Sequence, residues 1–135
     1  MISLPVWAAE PEVLRDLQYA TVDGRPLLLD LYLPASVNED EQVEVRESGD
    51  VPCIVFVHGG GWKAGDKKSA KQNAAWLVDH GFAIASINYR LTDVAQWPAQ
   101  INDCYEAVRW VRRQSGRYRI DPDRIGAFGT SAGAH

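Results

Sequence analysis

The chain has 135 residues, a formal charge of −4 at pH 7, 46% hydrophobic and 24% charged residues. That length and balance suit one globular domain with a real core. An acidic balance argues against the basic face that a nucleic-acid partner needs. No run approaches the roughly 18 apolar residues of a membrane span.

The start, Met1 to Glu10, is apolar and then turns acidic. Val6-Trp7-Ala8 has the small-residue spacing of a signal-peptidase site, without a basic region before it. Two readings stay open: the remnant of a secretion signal, implying a secreted or periplasmic protein, or a short apolar arm on a cytoplasmic one. Leu17–Thr21 and Leu27–Leu33 read as two strands, and Val22-Asp23-Gly24-Arg25-Pro26 between them carries a hairpin turn signal. Pro34 ends the second strand. Ser36 to Asp50 is polar and acidic, a solvated loop with a ragged Val43–Val45 stretch.

Then the period changes. Cys53–Val57 is a continuous apolar run, as in a strand covered on both faces. Ala70 to His80 has helical spacing at Ala74, Leu77 and Val78, and Gly81 is placed to end the helix. Phe82–Ile87 reads as the next buried strand. Pro98 opens a helix with apolar residues at Ile101, Cys104, Tyr105, Val108 and Val111, and Gly116 is placed to close it. Arg109, Arg112, Arg113, Arg117, Arg119 and Arg124 read as the solvated side of this helix and its exit loop. Asp121-Pro122-Asp123 is a turn signal and Ile125–Phe128 the last strand. Strand–helix–strand–helix–strand alternation predicts an α/β architecture, a parallel sheet with helices on both faces. Cys53 and Cys104 fall in a strand and a helix, as inert core thiols do.

Two glycine motifs carry the chemistry. Gly129-Thr130-Ser131-Ala132-Gly133 follows the last strand directly, the setting of a nucleophile elbow. There a serine sits in a strained turn and strand and helix pass too closely for a side chain at Gly129 or Gly133. Ser131 is the expected nucleophile. His58-Gly59-Gly60-Gly61-Trp62 follows the Cys53–Val57 strand. Ester cleavage passes through an oxyanion that backbone N–H groups stabilise, so Gly60, Gly61 and Ala132 are the expected oxyanion-hole donors. His80 is expected on the surface at a helix end. His135, four residues after Ser131, is expected along its helix and not over the hydroxyl. Asp103 is expected to pair with an arginine such as Arg90. Trp62 and Trp97 stand open between lining a substrate cleft and filling the core.

On these motifs the chain resembles the N-terminal half of an α/β-hydrolase serine esterase with a His-Gly-Gly-Gly-Trp oxyanion motif. The hormone-sensitive-lipase-like and the feruloyl- or acetyl-esterase-like carboxylesterases have this character. Asp30-Leu31-Tyr32-Leu33-Pro34, Asn88-Tyr89-Arg90-Leu91 and Trp97-Pro98-Ala99-Gln100 extend the resemblance from about Tyr19 to His135. It implies a small-molecule ester substrate, no metal or cofactor, and a His58 that braces the oxyanion loop. It divides the chain into an arm or signal remnant, 1–16, and an incomplete hydrolase domain, 17–135. It also implies that the acid and base of the triad lie outside this chain, which alone is then expected to be inactive. The rival readings are a serine peptidase of the prolyl-oligopeptidase type, against which the triple glycine speaks, and a non-enzymatic hydrolase-fold fragment.

Overall fold

A computed structural model describes residues 11–35 and 50–135. The apolar start and the acidic Ser36–Asp50 loop, except Asp50, lie outside the described residues. Five strands form one sheet: β1 (Glu12–Val22), β2 (Arg25–Leu33), β3 (Val51–Val57), β4 (Ala83–Ile87) and β5 (Ile120–Gly129), in the order β1-β2-β4-β3-β5. β1 and β2 run antiparallel, as do β2 and β4, while β3 is parallel to both β4 and β5. The helices are α1 (Lys71–Asp79), α2 (Ala99–Arg113) and the single turn α3 (Ser115–Tyr118).

Local chemistry sets the corners. Asp23 and Gly24 form the two-residue hairpin loop, both with positive φ (49° and 72°). That geometry matches the right-handed twist of the paired strands. At the end of α1 the N–H of Phe82 donates to Leu77 and that of Gly81 to Val78, while Gly81 turns left-handed at φ 88°. This is the double bond pattern of a glycine-ended helix. The end of α2 differs from expectation. Gly116 lies inside α3, and the left-handed residue that redirects the chain is Arg119, at φ 55°.

β1 also begins earlier than the apolar run suggests, at Glu12, so residues 12–16 belong to the sheet. The ladder breaks between Leu14 and Leu17, where Asp16 has φ 56°. A bulge resets the in–out alternation, which hides the start of the strand from a period-two reading.

One sheet face packs Leu29, Leu31, Val55, Ala85 and Ile87 against Ala107 and Val111 of α2. The other packs Tyr32, Phe56 and Ile84 against Ala70, Ala74 and Val78. Helices therefore cover both faces. The seam of α2 is shifted from the expected stripe: Gln100, Asp103, Ala107 and Val111 face inward, while Tyr105 is exposed. Two polar residues hold that seam because each has a partner on the loop after β4. The Arg90 guanidinium grips Asp103 through Nε and Nη2 at 2.9 and 2.7 Å, and the Arg90 N–H donates to the same carboxylate at 2.9 Å. Hydrogen bonding to Asp103 holds the guanidinium pKa above its usual value. All six late arginines are exposed. Cys53 and Cys104 are free thiols, and burial pushes them up to about 12 and about 11, so both stay protonated near neutral pH.

The opposite face holds a second polar cluster. Asp30 is fully buried and accepts from Lys67 Nζ at 2.8 Å and from the Asp16 N–H at 2.9 Å. Lys67 Nζ also meets Asp16 at 2.9 Å. The Lys67 backbone is pinned twice more: its N–H donates to Asn88 Oδ1, and its carbonyl accepts from Ser86 Oγ. Burial alone would depress the Lys67 ammonium. Hydrogen bonds to Asp30 and Asp16, and their charge, outweigh burial and hold its pKa above the usual value.

Removing one partner of a buried ion pair leaves the other charge uncompensated. Lys67→Met should therefore cost about 3–5 kcal/mol in urea unfolding at pH 8. Because the folded pKa of Lys67 is raised, its contribution is complete below the unfolded value of about 10.4 and is lost as pH rises through the folded value. The wild-type advantage over Lys67→Met should be flat up to about pH 10 and shrink above it. At the other end of the sheet, β5 pairs only with β3 among the described residues, and Gly126, Ala127 and Phe128 are exposed. An open apolar edge of this kind is a template for association. The 135-residue chain should bind a hydrophobic dye or run as aggregates in size-exclusion chromatography; a monodisperse, dye-free monomer would contradict this.

Candidate active site

After β3 the chain crosses to β4 on one side, and after β4 it returns to β5 on the other. The carboxyl end of β3 is thus the point where strand order reverses, the place where open α/β sheets bind ligands. His58–Trp62 leaves from that end. The Ser131 turn leaves from the same end of the neighbouring strand, since Val57 pairs with Gly129. Sheet topology alone brings together motifs about seventy residues apart.

The turn is as tight as the glycine spacing predicts. Ser131 has φ 51°, a left-handed conformation that serine adopts only when its surroundings impose it. A methyl on Gly133 would strike the carbonyl groups of Val57 and His58, 2.7 Å from the His58 oxygen. A methyl on Gly129 would strike the backbone of Gly133 and Ala134. A short 3-10 segment, Ser131–Ala134, follows. Ser131 itself is exposed.

The glycine loop lies against this turn. A methyl on Gly59 would sit 2.7 Å from the Thr130 carbonyl oxygen and 3.2 Å from Ser131 Cβ. Gly60 has φ 124° and Gly61 φ 62°, and the Gly60 carbonyl accepts from Lys63 and Ala64, which curls the loop. The amides of Gly60 and Gly61 donate to no backbone acceptor among the described residues. Trp62, at φ 61°, donates its indole N–H to the carbonyl of Ala132 at 2.9 Å. That bond ties the end of one motif to the middle of the other.

His58 is buried. Its Nδ1 lies 2.7 Å from the Gly59 carbonyl, an acceptor only, so Nδ1 carries the proton. Its ring stacks on Tyr89 at 4.5 Å, and the Tyr89 hydroxyl donates to the His58 carbonyl at 2.8 Å. Burial raises the Tyr89 phenol above its usual pKa, which keeps it a donor. Gly65 leaves room for the His58 ring, since a methyl there would overlap it. His80 is exposed at the end of α1, with Nδ1 2.7 Å from the Trp76 carbonyl. His135 meets the Trp62 ring edge-on at 5.3 Å. Among the described residues, no histidine hydrogen-bonds to Ser131 and no cluster of metal-ligating side chains occurs. No helix among them is long and apolar enough to cross a membrane. Trp62 and Trp97 line one cavity together with Thr92, Gln100 and His135. Tyr89 braces His58 without a local signal, because the two lie 31 residues apart in sequence.

The BD-FAE family model matches residues 29–135. The chain belongs to this family. It is similar to Esterase LipQ of Mycobacterium tuberculosis, at 34% identity over 113 residues, covering 83% of this chain and 25% of that protein. It is similar to ethyl acetate hydrolase of Pseudomonas putida, at 30% identity over 128 residues, covering 93% and 37%. Among solved structures, the native esterase Est2 of Thermogutta terrifontis superposes with a TM-score of 0.74 at 27% identity, covering 94% of this chain and 41% of that one. A bifunctional GH43-CE protein of Bacteroides eggerthii superposes at 0.72 with 34% identity, covering 90% and 16%. The fold is thus that of the α/β-hydrolase esterases, and the BD-FAE chain spans about a quarter of the length of LipQ.

The glycines differ in what they protect. Gly133→Ala forces a methyl into two fixed carbonyl groups and should cost about 3 kcal/mol, the upper end for overpacking. Gly61→Ala faces open space and should cost about 1 kcal/mol, for the left-handed backbone alone. Denaturant midpoints of the two variants check this ordering, and equal costs would contradict the close approach at Gly133.

Proposed function

We propose that the BD-FAE chain carries the nucleophile and oxyanion hole of a serine carboxylic-ester hydrolase. Ser131 attacks the ester carbonyl, the N–H groups of Gly60, Gly61 and Ala132 receive the oxyanion, and His58, Gly59, Trp62, Gly129 and Gly133 hold the two loops together. A histidine takes the serine proton and returns it to the leaving alcohol. The acyl-enzyme that remains is then hydrolysed by water. The observation that carries this reading is the contact of Gly59 with Thr130 and Ser131. It sets a loop with unpaired amides beside a serine in a strained turn. The names of LipQ and of ethyl acetate hydrolase agree with ester cleavage, and a small-molecule ester is the substrate we assign.

The acid and base are assigned to residues outside this chain, because no histidine among those described bonds to Ser131. The 135-residue chain alone should therefore hydrolyse p-nitrophenyl acetate negligibly, and no faster than its Ser131→Ala variant. Losing the base of a triad costs about as much as losing all of it, roughly a millionfold in kcat. On a longer chain that supplies both groups, Ser131→Ala should reduce kcat by about 10⁴-fold or more. Ser131-dependent turnover by the 135-residue chain would overturn the absent base and turn attention to His135. Full activity of Ser131→Ala in an active longer chain would overturn the nucleophile.

A further inference from the structure

The chain leaving β4 grips the glycine loop at three points. At the loop's entry the Tyr89 hydroxyl donates to the His58 carbonyl at 2.8 Å, and the two rings stack at 4.5 Å. In its middle the Thr92 N–H donates to the Trp62 carbonyl at 2.9 Å. At its exit the Lys67 N–H donates to Asn88 Oδ1 at 2.8 Å. Gly60 and Gly61 lie between the first point and the second. Both have positive φ, and their amides donate to no backbone acceptor among the described residues. Glycines in such a stretch keep one conformation only if their flanks are held, because their own backbone is permissive.

The gripping segment is itself fixed to other elements. The Asn88 N–H donates to the Leu28 carbonyl of β2 at 2.9 Å, and the Asn88 carbonyl accepts from the Tyr19 hydroxyl of β1. The Arg90 N–H donates to Asp103 of α2. Tyr89 stands between these two anchored residues and is buried. Its bond reaches beyond the loop entry. A peptide unit is planar, so a fixed His58 carbonyl also fixes the plane of the Gly59 N–H. The same carbonyl faces the serine turn, since a methyl on Gly133 would sit 2.7 Å from it. One hydroxyl is thus bonded to the oxygen at which the glycine loop and the serine turn meet.

We propose that Tyr89 is a positioning residue: its hydroxyl fixes the entry peptide of the glycine loop, so that the Gly60 and Gly61 amides hold one orientation before substrate binds. The proposal rests on the ester-hydrolase reading. Tyr89 acts through His58 and touches no reacting atom. Donors fixed in advance stabilise an oxyanion without reorganising, and the oxyanion exists only in the transition state. Loosening them therefore lowers kcat and kcat/KM together and leaves KM where it was.

Tyr89→Phe tests this, because it keeps the stacked ring and removes only the hydroxyl. On a longer chain that supplies the acid and base, it should lower kcat for p-nitrophenyl acetate about tenfold with KM unchanged, on the scale of one net hydrogen bond. Val78→Ala thins the core under α1, away from the loop, and should leave kcat as it is. The 135-residue chain gives a second readout by hydrogen exchange. The Lys63 and Ala64 amides donate to Gly60, and that of Thr92 to Trp62. In Tyr89→Phe these three should exchange about tenfold faster relative to the paired amides of β4. Wild-type kcat in Tyr89→Phe, a loss carried by KM, an equal loss in Val78→Ala, or exchange that rises equally throughout the sheet would overturn the proposal. Locally faster exchange without ester turnover by any longer chain would support the Tyr89 bond and count against ester hydrolysis; turnover untouched by Tyr89→Phe would do the reverse.

Discussion

The site depends on one close approach of backbone to backbone. Gly133 lies against the carbonyls of Val57 and His58, and Gly129 lies against Gly133 itself. No side chain fits at either position. That contact draws the turn after β5 onto the end of β3, where the glycine loop begins. It also explains why Ser131 keeps a left-handed backbone: the neighbours on both sides leave it no relaxed alternative. Strain of this kind persists only where surrounding structure over-determines it. Here the surroundings are the two adjacent parallel strands.

Polar pairs inside the fold place the loops that this contact does not reach. Arg90 and Asp103 fasten the loop after β4 to α2, and Gln100 grips the same loop from the Arg90 carbonyl. Lys67, Asp30 and Asp16 fasten the entry of α1 to the hairpin. Buried ion pairs contribute little net stability compared with apolar packing, and breaking one is costly. Their effect here is positional. The first joins a connection to a helix and the second joins one to the sheet, on opposite faces.

Local signals in the sequence translated well. Asp23-Gly24 and Gly81 act as the turn and the helix end that their chemistry demands, and the two glycine motifs meet at one end of the sheet. The expected Arg90–Asp103 pair forms, and both cysteines are buried or half-buried thiols. What failed needed distant partners. The inward face of α2 is set by Gln100 and Asp103, polar residues that a hydrophobic period assigns to solvent. The left-handed Arg119 replaces Gly116 because the chain turns after α3 and not before it. The early start of β1 is masked by a bulge at Asp16, whose carboxylate answers to Lys67, far along the chain. The apolar start and most of the acidic loop lie outside the described residues.

Trp62 completes the logic of the site. Its own backbone is left-handed, at φ 61°, and its indole bonds to the residue that follows Ser131. A strained residue of one motif is therefore hydrogen-bonded to the neighbour of the strained residue of the other. Oxyanion stabilisation is strongest when its donors are fixed before charge develops, since no reorganisation is then needed during reaction. On the proposed reading, a loop and a turn held together by this bond meet that condition before any substrate arrives.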